Sequence, residues 1–123
     1  SDLTRSLGES FLCALAGVVY AFKTQRNIKI HFSAAIIVVL LSFILKLSIS
    51  EILAISLTVT MVLVAEMINT AIETVVDMYT TEYHPLAKAA KNVAAGAVLI
   101  SAVNAVIVGY IVFFKKIIMF LNM

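Results

Sequence analysis

Glu66, Asn69, Glu73 and Asp77 follow one another at spacings of three, four and four residues. At about 100° per residue, such a series stays within an arc of about 80° on one helix face and runs roughly 16 Å along it. Four of the chain's seven acids, Glu66, Glu73, Asp77 and Glu82, lie in this region. A polar seam gluing helices together would account for the asparagine, but three carboxylates on one stripe repel unless a cation or a proton intervenes. Carboxylates, an amide oxygen and a lysine are the donors that Mg²⁺ and a phosphate group require. The metal prefers hard oxygen ligands, one or two carboxylates with water and substrate phosphates completing its shell. Lysine supplies a point charge to phosphate, and Lys88 and Lys91 are the nearest bases downstream. A proton relay is the competing use of intramembrane acids. It needs polar residues reaching further into the membrane, and the neighbouring apolar stretches offer only Ser56, Thr58, Thr60, Ser101 and Asn104.

The rest of the chain says where such a stripe must sit. It has 123 residues, 63% hydrophobic and 13% charged, with a mean hydropathy of +1.10. Soluble domains carry about 25% charged and 45–50% apolar residues, so the expectation is a single small integral-membrane domain over 1–123. A lone cysteine, Cys13, excludes a disulfide framework, and a net charge of +2 is too small for a nucleic-acid binder. Acids inside a spanning helix are costly, about 2.5–3.5 kcal/mol for an Asp at the centre, and mark function. Residues 93–114 form an uncharged run long enough to cross a hydrocarbon core of about 30 Å. Strict alternation is absent, so a β-barrel is not expected.

These patterns predict an all-α membrane protein with three spanning helices, at about 30–49, 52–78 and 92–114. Leu7, Phe11, Leu15, Val18 and Phe22 recur at helical spacing with Glu9 and Ser10 off the stripe, predicting an amphipathic surface helix over about 6–22. Pro85 breaks the chain between the second and third spans. Asn104 reads as an interhelical hydrogen bond, and Gly96 among alanines as a point of close helix approach. The bases that follow the first apolar stretch do not have the layout of a signal peptide. Arg5, Lys23, Arg26, Lys29, Lys88 and Lys91 fall on one side of the membrane, and Lys46, Lys115 and Lys116 on the other. That bias predicts a cytoplasmic N-terminus. Three helices are too thin to enclose a site, so an oligomer is expected.

The residues Glu66-Met-Ile-Asn69-Thr-Ala-Ile-Glu73-Thr-Val-Val-Asp77 resemble the signature of the small bacterial integral-membrane diacylglycerol kinase family. Glu82-Tyr-His84 and Lys88-Ala-Ala-Lys91-Asn92 continue the match downstream, and Arg26-Asn27-Ile-Lys29-Ile-His31 fits the family's entry into the first span. The Ala-Ala-Gly-Ala-Val that follows is similar to the undecaprenol kinase branch. The resemblance covers nearly the whole chain. It implies an ATP- and Mg²⁺-dependent kinase of the bacterial inner membrane, phosphorylating a lipid alcohol, undecaprenol or alternatively diacylglycerol. It also implies a homotrimeric bundle with active sites shared between protomers. Glu66 would be the base for the lipid hydroxyl and Glu73 would bind the divalent cation. Asn69 and Asp77 would support the nucleotide and metal, and Lys91 would hold phosphate. Two positions depart from the family's pattern. Gln25 stands where a second metal-binding Glu is usual, and Asn92 where Asp follows the lysine. Each replaces an acid by its amide, so a weakened or non-catalytic protein of the same fold is the further alternative.

Overall fold

The computed structural model describes residues 6–122, and Arg5, one of the bases weighed above, lies outside them. The described chain forms four α-helices in sequence: α1 (Leu7–Thr24), α2 (Arg26–Ile44), α3 (Ile49–Tyr79) and α4 (Pro85–Leu121). All four are long and apolar enough to cross a membrane, α1 included. The protein is therefore an all-α, multi-pass membrane protein.

Helix boundaries follow local capping chemistry. Ser6 caps α1, its hydroxyl accepting from the Glu9 amide at 3.1 Å. The α1–α2 break falls at Gln25, whose extended backbone (φ −117°, ψ 118°) ends one helix and begins the next. Phe22 and Phe32 meet edge-to-face across that break, with ring centroids 5.7 Å apart. Lys46 occupies the left-handed region at φ 55° in the turn after α2, so α2 ends before the predicted limit at 49. Ser48 then opens α3 with a reciprocal capping box: its hydroxyl accepts from the Glu51 amide, and its own amide donates to Glu51 Oε1 at 2.8 Å. Ser48→Ala is expected to lower stability by about 1 kcal/mol, the usual value of such a cap; thermal unfolding in detergent reads it.

The third spanning element is much longer than the predicted 92–114. Pro85, at the first turn of α4, needs no amide partner there. His84 caps the same turn, Nδ1 accepting from the Leu86 amide at 3.1 Å. Lys115 and Lys116 end the apolar run without ending the helix, because lysine is a good helix former and its long stem lets the charge reach polar surroundings.

α3 and α4 form the most extensive helix pair, with α2 packed against α3 and α1 against both α2 and α3. Two ion pairs pin α3 to α4 at opposite ends. Lys91 Nζ lies 2.7 Å from Asp77 Oδ1, and Lys116 Nζ lies 3.3 Å from Glu51 Oε1. Glu51 and Asp77 are separated by roughly 39 Å along the α3 axis. That exceeds a hydrocarbon core of about 30 Å, so both pairs can sit at headgroup level on opposite sides.

The internal core is small. Leu47, Ile55 and Val112 form its centre near the Glu51 end, with Val38, Val59 and Val108 packed around them. Only seven apolar side chains are buried among the described residues, whereas most large ones are exposed. Such surfaces need lipid or another protein chain against them. Gly96 does not serve close packing within the chain, since a Cβ there would meet nothing within 4 Å. Asn104 is half-buried, and among the described residues no hydrogen bond joins it to another helix; the expected interhelical bond is absent within one copy.

Candidate active site

The acid stripe of α3 faces inward at its deep end and outward at its shallow end. Glu66 is only 2% exposed, whereas the Asp77 side chain is 54% exposed. This gradient follows from the helix. Successive stripe residues climb about 5–6 Å each, moving from the packed interior toward the loop that joins α3 to α4.

Each acid meets a different partner. Glu66 Oε1 lies 3.1 Å from Nε2 of His31 on α2. That contact is not an aligned hydrogen bond, since Oε1 has no hydrogen-bond partner among the described residues. Asn69 Nδ2 donates to Glu73 Oε1 at 2.8 Å. The amide's other end, Oδ1, is buried without a partner. Asp77 pairs with Lys91. The repulsion expected of a carboxylate stripe is thus relieved residue by residue. Buried Thr70, on the same helix, satisfies itself by donating to the Glu66 carbonyl at 2.9 Å.

Beyond Asp77 the α3–α4 loop opens a cleft of about 240 Å³ lined by Thr80, Glu82, His84, Lys88, Lys91 and Asn92, among others. Lys88 and Lys91 bring positive charge to its wall and Asn92 an amide. Lys88 Nζ also lies 6.0 Å from the centre of the Tyr83 ring. The structure therefore brings Asp77, Lys91 and Asn92 together at the mouth of α3 and α4, and Asn69 and Glu73 together one to two turns deeper.

It does not bring Gln25 into a hydrogen bond with the stripe among the described residues; that side chain is half-buried at the α1–α2 junction. Nor do three or more His, Cys, Asp or Glu side chains converge on a metal-sized site among the described residues. What one copy provides for a hard cation is the Glu73 carboxylate, with the Asn69 amide bonded to it through Nδ2, so that Oδ1 joins a cation site only when the amide turns. Oxygen donors of this kind suit Mg²⁺, which keeps several waters and takes phosphate oxygens to complete its shell.

Between α1, α2 and α3 lies an apolar groove of about 650 Å³. Val18, Phe22, Ile28, Phe32, Leu63 and Met67 line it, the last two flanking Glu66 in sequence. Sequence reasoning missed both this groove and the contact of His31 with Glu66. The groove needs three helices to form, and His31 is too far from Glu66 along the chain for periodicity to link them.

The family model for prokaryotic diacylglycerol kinase matches residues 12–113. The diacylglycerol kinase of Synechocystis is 48% identical over 101 residues, covering 81% of this chain and 58% of that protein, so the chain spans little more than half of this relative. The undecaprenol kinase of Bacillus subtilis is 43% identical over 108 residues, covering 88% of each chain. The diacylglycerol kinase of Haemophilus influenzae is 33% identical over 102 residues, covering 82% of this chain and 86% of that protein. All three matches run through the region that carries the acid stripe and the basic cleft, and with the family model they show that the chain belongs to the prokaryotic diacylglycerol kinase family of lipid kinases.

Proposed function

We propose that the protein transfers the γ-phosphate of ATP to the hydroxyl of undecaprenol, with Mg²⁺, at the cytoplasmic boundary of the inner membrane. The observation that carries this reading is Glu66 itself, a buried carboxylate at the deep end of a polar ladder leading to a basic cleft, on a helix that also contributes Leu63 and Met67 to an apolar groove that suits a lipid body. Undecaprenol is favoured by the relative that matches along 88% of both chains. Diacylglycerol is the second reading, favoured by the 48% identity to the Synechocystis protein.

In this mechanism the lipid's hydroxyl reaches Glu66 from the groove. Glu66 accepts the hydroxyl proton as the oxygen bonds to the γ-phosphorus and the bond from that phosphorus to the ADP oxygen breaks. Phosphoryl transfer of this kind is mostly positioning and charge neutralisation. Glu73 and Asn69 would hold Mg²⁺, which when bound neutralises charge on the phosphate oxygens. Lys91 exchanges part of its contact with Asp77 for phosphate, and Lys88 and Asn92 complete the nucleotide's surroundings.

α1, the most one-sided of the helices in its apolar pattern, lies along the membrane surface in this reading and closes the groove. The protein works as a homotrimer, because one copy buries few apolar side chains and assembles only part of a metal site. The N-terminus and the α3–α4 loop face the cytoplasm, where ATP is. Gln25 and Asn92 reduce the negative charge available to the metal. Restoring it with Gln25→Glu and Asn92→Asp together is expected to lower the Mg²⁺ needed for half-maximal rate by roughly tenfold or more, within the range for changes around metal ligands. An unchanged Mg²⁺ dependence in the double variant counts against that part of the site. The test of the function itself is detergent-purified protein with ATP, Mg²⁺ and either undecaprenol or diacylglycerol. Lipid monophosphate from undecaprenol is the expected product. No phosphorylated lipid from either alcohol would refute the reading.

A further inference from the structure

Glu66 lies roughly 16 Å from Asp77 along α3, on the side toward the middle of the membrane, and its side chain is 3% exposed. A buried carboxylate is costly unless a basic or hydrogen-bonding group meets it. Among the described residues the only basic side chain within 4 Å of it is His31, on a different helix. His31 also lines a small cavity of about 110 Å³ whose remaining walls are alanine, valine and leucine side chains from α2, α3 and α4. Lys91, the base that sequence places nearest the acid stripe, is committed to Asp77 near the loop.

We infer that His31 is a positioning residue for the lipid kinase reaction: packed 3.1 Å from the buried Glu66 carboxylate, it holds that side chain aimed for proton abstraction. This assignment rests on the reading of Glu66 as the base. The pair has a division of labour. Glu66 touches the hydroxyl, while His31, 27% exposed, acts only through Glu66 and touches neither lipid nor nucleotide. The contact sets a basic group against an acidic one without an aligned hydrogen bond at Oε1. Another basic side chain at the same helix position should therefore substitute for it, and a neutral amide of similar size should not.

The experiment compares H31Q, H31K, E66Q and the H31Q/E66Q double variant as full chains reconstituted in nanodiscs. Each is assayed with ATP, Mg²⁺ and the lipid alcohol that the unaltered protein phosphorylates, undecaprenol or diacylglycerol, and each is melted in parallel. H31Q should lose at least tenfold in kcat with KM for ATP within twofold of the unaltered protein, and H31K should recover to within threefold. In the E66Q background, where the carboxylate that His31 positions is gone, adding H31Q should change neither the residual rate nor the melting temperature. A histidine that only packs would lower the melting temperature equally in both backgrounds. Unaltered kcat in H31Q, H31K as slow as H31Q, or equal stability losses in the two backgrounds would each overturn the assignment. The single variant E66Q tests the underlying reading separately: full turnover there removes Glu66 as the base whatever His31 does.

Discussion

Glu66→Gln is expected to lower kcat by about two to four orders of magnitude, the range associated with loss of a positioned general base. The substitution keeps the side chain's shape and removes its ability to take a proton. Nucleotide affinity should stay within a few-fold, because Glu66 lies deeper than the ladder residues that would meet the metal and phosphates. The amide also keeps a polar atom where Oε1 meets His31 Nε2 at 3.1 Å, so the melting temperature should change little. Loss of turnover with an undiminished melting temperature separates a chemical role from a structural one. Steady-state kinetics, equilibrium binding of a non-hydrolysable ATP analogue and thermal unfolding read the three quantities. Full turnover in the variant would mean that the hydroxyl loses its proton elsewhere.

Glu73→Ala should act on the other half of the reaction. Glu73 is half-buried and already bonded to the Asn69 amide, which leaves the Asn69 carbonyl oxygen buried and without a partner. Removing the carboxylate takes away the one full negative charge at this level of the ladder, and it also frees the Asn69 side chain to turn. A loss of about ten- to a hundredfold in affinity for the metal–nucleotide complex is expected, comparable to changes in groups that support metal ligands. The effect should appear as a higher Mg²⁺ requirement at fixed ATP and should shrink at saturating Mg²⁺. A Mg²⁺ titration superimposable on that of the unaltered protein would place the cation elsewhere.

Glu66 and Glu73 were legible in the sequence because helical periodicity alone puts them on one stripe, and because acids in an apolar run are too costly to be incidental. The break before the last helix was legible for a similar reason, since Pro85 can sit in a first turn but not in a helix interior. Other features depended on chain segments far apart. His31 and Glu66 belong to different helices, and no spacing rule links residues across them. The apolar groove takes shape only when Phe22 and Phe32 meet across the Gln25 break and both face α3. Helix lengths were misjudged where charge was read as an end. Lys115 and Lys116 stop an apolar run, yet α4 continues through them to Leu121, with Lys116 held by Glu51. In the opposite sense, α2 stops at Ile44, before the predicted end at 49, because the left-handed Lys46 and the Ser48 cap start a new helix within an apolar stretch.

The placement of the metal–nucleotide complex is most directly tested by paramagnetic broadening. Mn²⁺ with a non-hydrolysable ATP analogue is added to protein carrying ¹⁵N-labelled asparagine, and side-chain amide signals are followed. Selective loss of the Asn69 and Asn92 signals, with those of Asn104 and Asn122 retained, is the expected result. Broadening confined to Asn104 or Asn122, or none at Asn69 under saturating complex, would contradict an acid ladder that holds the nucleotide beside its lipid.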